Sequence, residues 1–354
     1  MLILSRAEVQ SALDPDALIG ALAGAMADLS AGRASMPLRT AAVVPGAGFL
    51  GAMPASLPGA GVLEAKLVSV FPGNAGTDLP THQAVIVAFD PATGRPEALL
   101  DATSVTELRT AAGSALATRL LARKDARTMS VLGTGAQARA HLRAVSRIRQ
   151  FERVWLAGRS RTRADLLAAE VRGELDAEVV VVGSFQDAVE GADVICACTH
   201  ATEPVVRRSW LSPGTHVNSV GYNTEGREVD AETVRDAVVI VESRAAALAP
   251  PPAGSNDLLW PIRDGLVGKD HVHAEIGEIV AGIRPGRTSE DQLTLYKSVG
   301  VAVQDAAAVA LVLAAAREQH LGREVDLSSG PGDTLQRRPP SPVTRRRPPR
   351  STSA

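Results

Sequence analysis

VLGTGAQA, residues 131–138, is the stretch on which the reading of this chain turns. The apolar run Thr128–Leu132 leads into Gly133-Thr134-Gly135-Ala136-Gln137-Ala138, and a helical pattern follows from Ala136 to Ser146. This is a G-x-G-x-x-A turn between a strand and a helix. The first glycine permits a tight turn and the second lets a pyrophosphate approach the backbone. Ala138 lets helix and strand pack closely, with phosphate at the helix N-terminus. The pattern alone often marks an ordinary turn; its place after a strand and before a helix gives it meaning. Gly133, Thr134, Gly135, Ala136 and Gln137 are therefore candidates to bind a dinucleotide cofactor.

Working outward, the strand–helix rhythm repeats. Arg153–Ala157 reads as a strand and Thr162–Val171 as a helix, and Glu178–Val182, Val194–Ala197, Val217–Val220 and Val238–Val241 are further short apolar runs. Alternating units of this length predict an α/β fold with a doubly wound parallel sheet, a Rossmann domain. After its second strand comes Gly158-Arg159-Ser160-Arg161-Thr162-Arg163, with no acid before Asp165. A site preferring NAD places a carboxylate there for the ribose 2′-hydroxyl. Arginines and a hydroxyl suit the 2′-phosphate of NADP. Arg159, Ser160 and Arg161 are accordingly cofactor candidates, with NADP(H) favoured and NAD(H) possible; the plainer reading is a solvated, basic helix start.

The segment before the Rossmann pattern reads as α+β. Ser5-Arg6-Ala7-Glu8 forms a capping box, and Asp14-Pro15 opens a helix to about Gly32. The strands Thr40–Val44 and Phe49–Met53 flank Pro45-Gly46-Ala47-Gly48. Val62–Val70 alternates, so Glu64, Lys66, Val68 and Val70 share a face. Ala84–Phe89 and Glu97–Leu100 follow, and a helix begins near Thr106. Towards the end, His273–Ala281 and the stretch from Ser289 to about His320 are predicted as helices. The expected organisation is a substrate and dimerisation domain over 1–115, a Rossmann domain over 116–300, a helix over 301–330 returning to the first domain, and a basic tail over 331–354.

The 354 residues carry 45% hydrophobic but only 3% aromatic residues, so the core must be built from Ala, Val and Leu. Few aromatics also argue against a single-stranded nucleic-acid platform. The last 18 residues hold six arginines; without them 31 basic face 39 acidic residues, so the remainder carries −8. The tail reads as a solvated extension, with contact to nucleic acid as the sharper alternative. Cys196 and Cys198 are poor zinc evidence and read as small buried strand residues, so no metal is expected. No signal peptide or membrane span is read, and a cytoplasmic protein is expected.

Arg39, Lys66 and Arg109 lie on three separate elements. The charge of Lys66, on a face shared with Val68 and Val70, would be desolvated unless an anion pairs with it. Three such cations converging would clamp a carboxylate, although isolated surface cations are the commoner case.

The text at this point resembles the ornithine cyclodeaminase/mu-crystallin family, from about residue 4 to 322. The matching stretches are MPLRT (36–40), KLVSVFPGN (66–74), LPTHQ (79–83), DATSVTELRTAAGSALAT (101–118), VLGTGAQA, ADVICACT (192–199), VNSVGYNTEGREVD (217–230) and GRTSEDQLTLYKSVGVAVQD (286–305). The resemblance implies a Rossmann domain paired with a split dimerising domain, a homodimer, and a small amino or imino acid bound between the domains. It places Arg39, Lys66 and Arg109 on substrate-carboxylate positions. Gly133 to Gln137, Arg159, Ser160, Thr81, His82, Thr110, Thr199, Val220 and Ser298 fall on cofactor positions, where Arg109 also lies.

Departures from the family pattern bear on the substrate. Ornithine cyclodeaminases need acids to hold and deprotonate a δ-ammonium. One such position is Gly51 here, and the other falls on Asn223, which cannot act as a general base near pH 7. Glu225 or Glu228 could substitute. The leading expectation is NAD(P)H-dependent reduction of a C=N bond beside a carboxylate. Arg39 and Arg109 would bind the carboxylate, Lys66 would orient it and help polarise or protonate the imine, and Asn223 would give a neutral hydrogen bond; Asp305 could orient Lys66, although a buried structural cap or ion pair is the plainer role. The alternatives are a cyclodeaminase converting ornithine to proline and ammonia with bound NAD, and an NADPH-dependent small-molecule binding protein.

Overall fold

The computed structural model describes residues 1–327; the basic tail at 331–354 lies outside the described residues. The chain opens with β1 (Leu2–Leu4), α1 (Arg6–Ala12) and α2 (Pro15–Ser30), where Asp14 caps α2 by accepting from the Ala17 N–H. A meander follows: β2 (Thr40–Val44), β3 (Gly48–Leu57), β4 (Val62–Val70), β5 (His82–Phe89) and β6 (Pro96–Asp101). Helix α3 (Ala102–Leu121) then connects to β7 (Thr128–Leu132), α4 (Ala136–Val145), β8 (Arg153–Ala157), α5 (Arg161–Val171), β9 (Glu178–Val181), α6 (Phe185–Val189), β10 (Val194–Ala197) and β11 (His216–Ser219). The remainder is α7 (Ala231–Asp236), β12 (Val238–Val241), α8 (Arg244–Ala247), α9 (Asn256–Arg263), β13 (Val272–Glu275), α10 (Ile276–Val280), β14 (Thr294–Lys297), α11 (Ala302–Gln319) and β15 (Arg323–Glu324).

These strands form two sheets. One runs β15-β1-β6-β5-β4-β3-β2; the other is wholly parallel and runs β13-β12-β14-β11-β10-β7-β8-β9. The order reverses between β7 and β10, which is where a doubly wound sheet opens a crevice at the carboxyl ends of its strands. The first sheet is covered on the face that carries Lys66, because α11 packs against β3 and β4. Alanine makes that close approach possible: Ala302, Ala306, Ala307 and Ala308 are all buried. The end of the described residues thus closes on the beginning of the chain, with β15 antiparallel to β1.

Three sequence expectations are corrected. Helix α3 starts at Ala102, not near Thr106, because the Asp101 carboxylate accepts the Ser104 N–H and caps it. The helix expected over His273–Ala281 is a strand, β13, followed by the short α10. The single helix expected from Ser289 to His320 is a buried strand, β14, and then α11. Thr294–Lys297 is buried on both faces between β11 and β12, and such a run has no periodicity to separate strand from helix. Gly300, at φ +74, breaks the chain before α11 begins. No described helix is long and apolar enough to cross a membrane.

Asp193, just before β10, ties the start of that strand to the start of its neighbour β7. Its carboxylate accepts the N–H groups of Arg127 and Thr128 at 2.8 and 2.9 Å and pairs with Arg123. Replacing Asp193→Ala leaves those donors at the start of β7 without an acceptor, and is expected to cost about 1–3 kcal/mol in urea unfolding.

Candidate active site

A cleft of about 930 Å³ lies between the two sheets. Its Rossmann side begins with the glycine-rich turn. Gly133 sits at φ +115, and a Cβ there would stand 2.6 Å from the Cys198 carbonyl oxygen, so the turn after β7 can approach the end of β10 only with glycine. Gly135, the N-cap of α4, is the reverse case: an added Cβ meets nothing within 4 Å. That open space in front of a ten-residue helix is a cradle for a pyrophosphate. Thr134, Ala136 and Gln137 line the same wall.

Past β8, Arg159 and Ser160 line the cleft, and the Ser160 hydroxyl accepts the Arg163 N–H to cap α5. Arg161 does not line it; it pairs with Asp165 one turn along at 2.9 Å on the exposed side of the helix. Arg163, one face over, lines the cleft instead. Helical spacing from Ser160 held that distinction, since residues two apart on a helix point in different directions. Thr81, His82, Thr110, Thr199, Val220 and Ser298 all line the cleft. His82 stacks on His200 with ring centroids 5.9 Å apart, and burial with the neighbouring imidazole lowers its pKa.

The opposite wall brings the three cations together. Lys66, on β4, is 2% exposed and donates from Nζ to Asp305 Oδ2 at 2.6 Å. Arg109, on α3, donates from Nε to Asp305 Oδ1 at 3.0 Å and from a terminal nitrogen to Gln304 Oε1 at 2.9 Å. Asp305, on α11, is fully buried, so one carboxylate orients both cations. Arg39, just before β2, donates to the carbonyls of Val299 and Gly300 at 2.7 and 2.6 Å. A side chain at Gly300 would collide with the Arg109 guanidinium, 2.8 Å from the Cβ position. Burial pulls the Lys66 ammonium down to about 8, against the opposing attraction of Asp305, and burial also lowers Arg39.

Asn223 departs from its expected place. Its amide donates to the carbonyls of His200 and Ala201, its oxygen accepts the Glu225 N–H, and it does not line the cleft. Glu228, weighed as a substitute acid, is buried in a structural role. It accepts from the Thr199 N–H and hydroxyl at 2.5 and 2.7 Å, from the Ser219 hydroxyl at 2.9 Å and from the Gly221 N–H at 2.7 Å. Glu242 likewise holds Ser298, Val299 and Gly300, shaping the loop that receives Arg39. Sequence reasoning missed Arg163, which helical spacing marks, and Glu242, Gln304 and Arg6, which nothing in the spacing marks because their partners lie far along the chain. Cys196 and Cys198 are free, and among the described residues no group of three His, Cys, Asp or Glu could hold a metal.

Fold and site together define a two-sheet α/β protein with a dinucleotide cradle on one wall of its cleft and a buried cationic clamp on the other. The model of the ornithine cyclodeaminase/mu-crystallin family matches residues 1–320, and the chain belongs to that family. It is 40% identical over 317 residues to the ketimine reductase mu-crystallin of Mus musculus, covering 87% of this chain and 95% of the relative. The solved Delta(1)-pyrroline-2-carboxylate reductase of Thermococcus litoralis, in complex with NADH and L-proline, superposes with a TM-score of 0.88 at 38% identity, over 92% of this chain and all of that one. An archaeal alanine dehydrogenase dimer with bound NAD does so with a TM-score of 0.86 at 30% identity, over 92% and 99%.

Asparagine is a good N-cap, so Gly135→Asn is expected to keep the melting temperature of the parent protein. Its side chain fills the cradle, and dinucleotide affinity measured by calorimetry is expected to fall at least about tenfold, ~1.4 kcal/mol.

Proposed function

We propose that this protein reduces a C=N bond beside a carboxylate, on a cyclic imino acid, a ketimine, or the imine of a 2-oxo acid with an amine. The observation that carries the reading is the charge of the cleft. Arg6, Arg39, Lys66, Arg109, Arg159 and Arg163 line it, and among the described lining residues the one acid is Glu107, paired with Arg6 at 3.2 Å. Such a site receives anions: a dinucleotide on one wall and a carboxylate on the other. The names of the mouse and Thermococcus litoralis relatives, and the NADH and L-proline held together in the latter, support the same chemistry.

The nicotinamide cofactor, when bound, supplies the hydride. Gly133 to Gln137 would hold its pyrophosphate. Arg159, Ser160 and Arg163 favour the 2′-phosphate of NADP(H) over NAD(H), since no acid meets the ribose there. Arg39 and Arg109 bind the substrate carboxylate. Lys66, protonated at neutral pH and with its affinity lowered by burial, is the acid beside the reacting nitrogen. Asp305 keeps Lys66 and Arg109 in register with each other. Met53 and Val68 form an apolar wall that excludes water around this chemistry. Cyclodeamination fits less well: Gly51 brings no side chain to the cleft, and Asn223 is turned away from it, so a second ammonium finds no free carboxylate among the described lining residues.

Purified protein is expected to oxidise NADPH, and NADH less well, only when pyrroline-2-carboxylate or pyruvate with methylamine is present. Proline and ammonia formed from ornithine without net cofactor change would overturn the reading, and tight NADPH binding with no turnover would make it a binding protein. Lys66→Met is expected to lower kcat at least about 100-fold while dinucleotide affinity stays. In the parent protein kcat/KM is expected to fall as pH rises through about 8, where free Lys66 loses its proton.

A homodimer formed through the first sheet belongs to the same proposal. Val44, Leu50 and Val85 are exposed on the face opposite Lys66, and the register of β2 to β5 sets them there beside Leu67. The double variant Leu50→Glu, Val85→Glu is expected to elute and scatter light as a monomer, where the parent protein is a dimer.

A further inference from the structure

The register of the first sheet sets out its cleft face in rows. Met53, Lys66 and Ile86 stand abreast in one row. Two residues along the strands, about 7 Å away, the next row is Ala41, Gly51, Val68 and Ala84. Val43, Phe49, Val70 and His82 make the row after that. On the other side of Lys66, Ala55 and Ala88 are buried, so this face opens to the cleft on the Gly51 side. Packing does not demand glycine at 51. A Cβ there would meet Val68 at 3.4 Å and the Phe49 ring at 3.7 Å, both ordinary contacts. What the glycine leaves is room on the cleft floor.

Rings enclose that room. Phe49 leans over Gly51 from the following row, and His82 stands at the β5 end of the same row. His200, on the loop after β10, stacks on His82 with the ring planes 15° apart. It donates from Nδ1 to the Tyr222 carbonyl at 2.8 Å, and Tyr222 in turn feels the charge of Arg39. Asn223, turned away from the cleft, fixes this loop through the carbonyls of His200 and Ala201. All four rings line the cleft. They include one of only five phenylalanines and one of only two tyrosines in the chain, so scarce aromatic residues are spent here and not in the Ala/Val/Leu core. The Gly51 row carries no charged or polar side chain.

We propose that this floor and its rings form the subsite for the substrate's side chain, and that the preferred substrate is a 2-imino acid with an aromatic side chain. The imine of phenylpyruvate with a small amine represents the class. The inference rests on the reductase reading, which places two of the three groups on the reacting carbon. The carboxylate goes to Arg39 and Arg109, and the nitrogen to Lys66. The third group runs from Lys66 over Gly51, the direction in which the sheet is open. A flat ring laid there packs against Phe49, His82 and Tyr222 and leaves water for apolar surroundings. A methyl group in its place leaves most of the room unfilled. A second carboxylate would lose its hydration over a floor that offers it no cation. Hydride still reaches the imine carbon and the Lys66 proton its nitrogen, so the side chain changes affinity and alignment, not the chemistry.

The test compares the methylamine imines of phenylpyruvate, pyruvate and 2-oxoglutarate at saturating NADPH. The phenylpyruvate imine is expected to show a kcat/KM at least about tenfold above either of the others. A pyruvate or 2-oxoglutarate imine reduced equally well overturns the proposal. Gly51→Val fills the floor and is expected to lower the preference for phenylpyruvate over pyruvate at least about tenfold. Should that variant not fold, Gly51→Ala, whose added carbon makes only ordinary contacts, is expected to lower the same ratio at least about threefold. A ratio unchanged in the folded variant overturns the assignment of Gly51. Calorimetry gives a readout without turnover: the 2-oxo acids alone are titrated into protein saturated with NADP+. Phenylpyruvate is expected to bind at least about tenfold more tightly than pyruvate, and equal affinities overturn the proposal. Should no imine be reduced, the reductase reading fails, and the calorimetry still decides whether the aromatic subsite fails with it.

Discussion

One buried carboxylate, Asp305, holds two cations that neither the core nor the solvent would otherwise accommodate. Lys66 and Arg109 are 2% and 5% exposed, and stripping either of its partner leaves an uncompensated charge worth about 3–5 kcal/mol of destabilisation. The three residues come from β4, α3 and α11, so the interaction exists only when the first third of the chain and its last helix are assembled together. That requirement explains why the chain returns after the parallel sheet. The alanine-rich face of α11 lets the helix come close enough to set Asp305 between the two cations.

A second set of buried acids fixes the loops at the carboxyl ends of the parallel strands. Glu228 gathers Thr199, Ser219 and Gly221 from the ends of β10 and β11, and Glu242 gathers Ser298, Val299 and Gly300 after β14. Lys297 pairs with Asp257 at 2.9 Å beneath them. Backbone N–H groups that would otherwise be unsatisfied at the strand ends are met by carboxylates, so the crevice keeps its shape. Arg39 is positioned by this scaffold and not by its own strand: the carbonyls it grips belong to the loop that Glu242 organises.

Legibility in the sequence followed the range of the interaction. The glycine-rich turn, the βα rhythm and the cap at Asp14 are local, and each was readable from a few consecutive residues. The strand β14 was not, because a strand buried on both faces shows no alternation and its neighbours β11 and β12 are distant in sequence. The three clamp cations were readable as candidates through their types and, more firmly, through the family resemblance. Their convergence was not, since no spacing encodes a contact between residues 66 and 305. Asn223 shows the opposite failure: its type fitted a substrate contact, but its amide is consumed by the carbonyls of His200 and Ala201.

By itself, the sequence determined the parallel-sheet architecture, the dinucleotide turn and the absence of an acid after β8. Each is written in near-neighbour chemistry, in φ angles that only glycine tolerates and in the 2.0 and 3.6 periods of apolar residues. Only the tertiary structure decided which charges share a partner. It turned Arg163 towards the cleft and Arg161 away, and made Glu228 a loop anchor. The reason is physical: burial and proximity set the behaviour of an ionisable group, and both belong to the assembled fold, not to the residue.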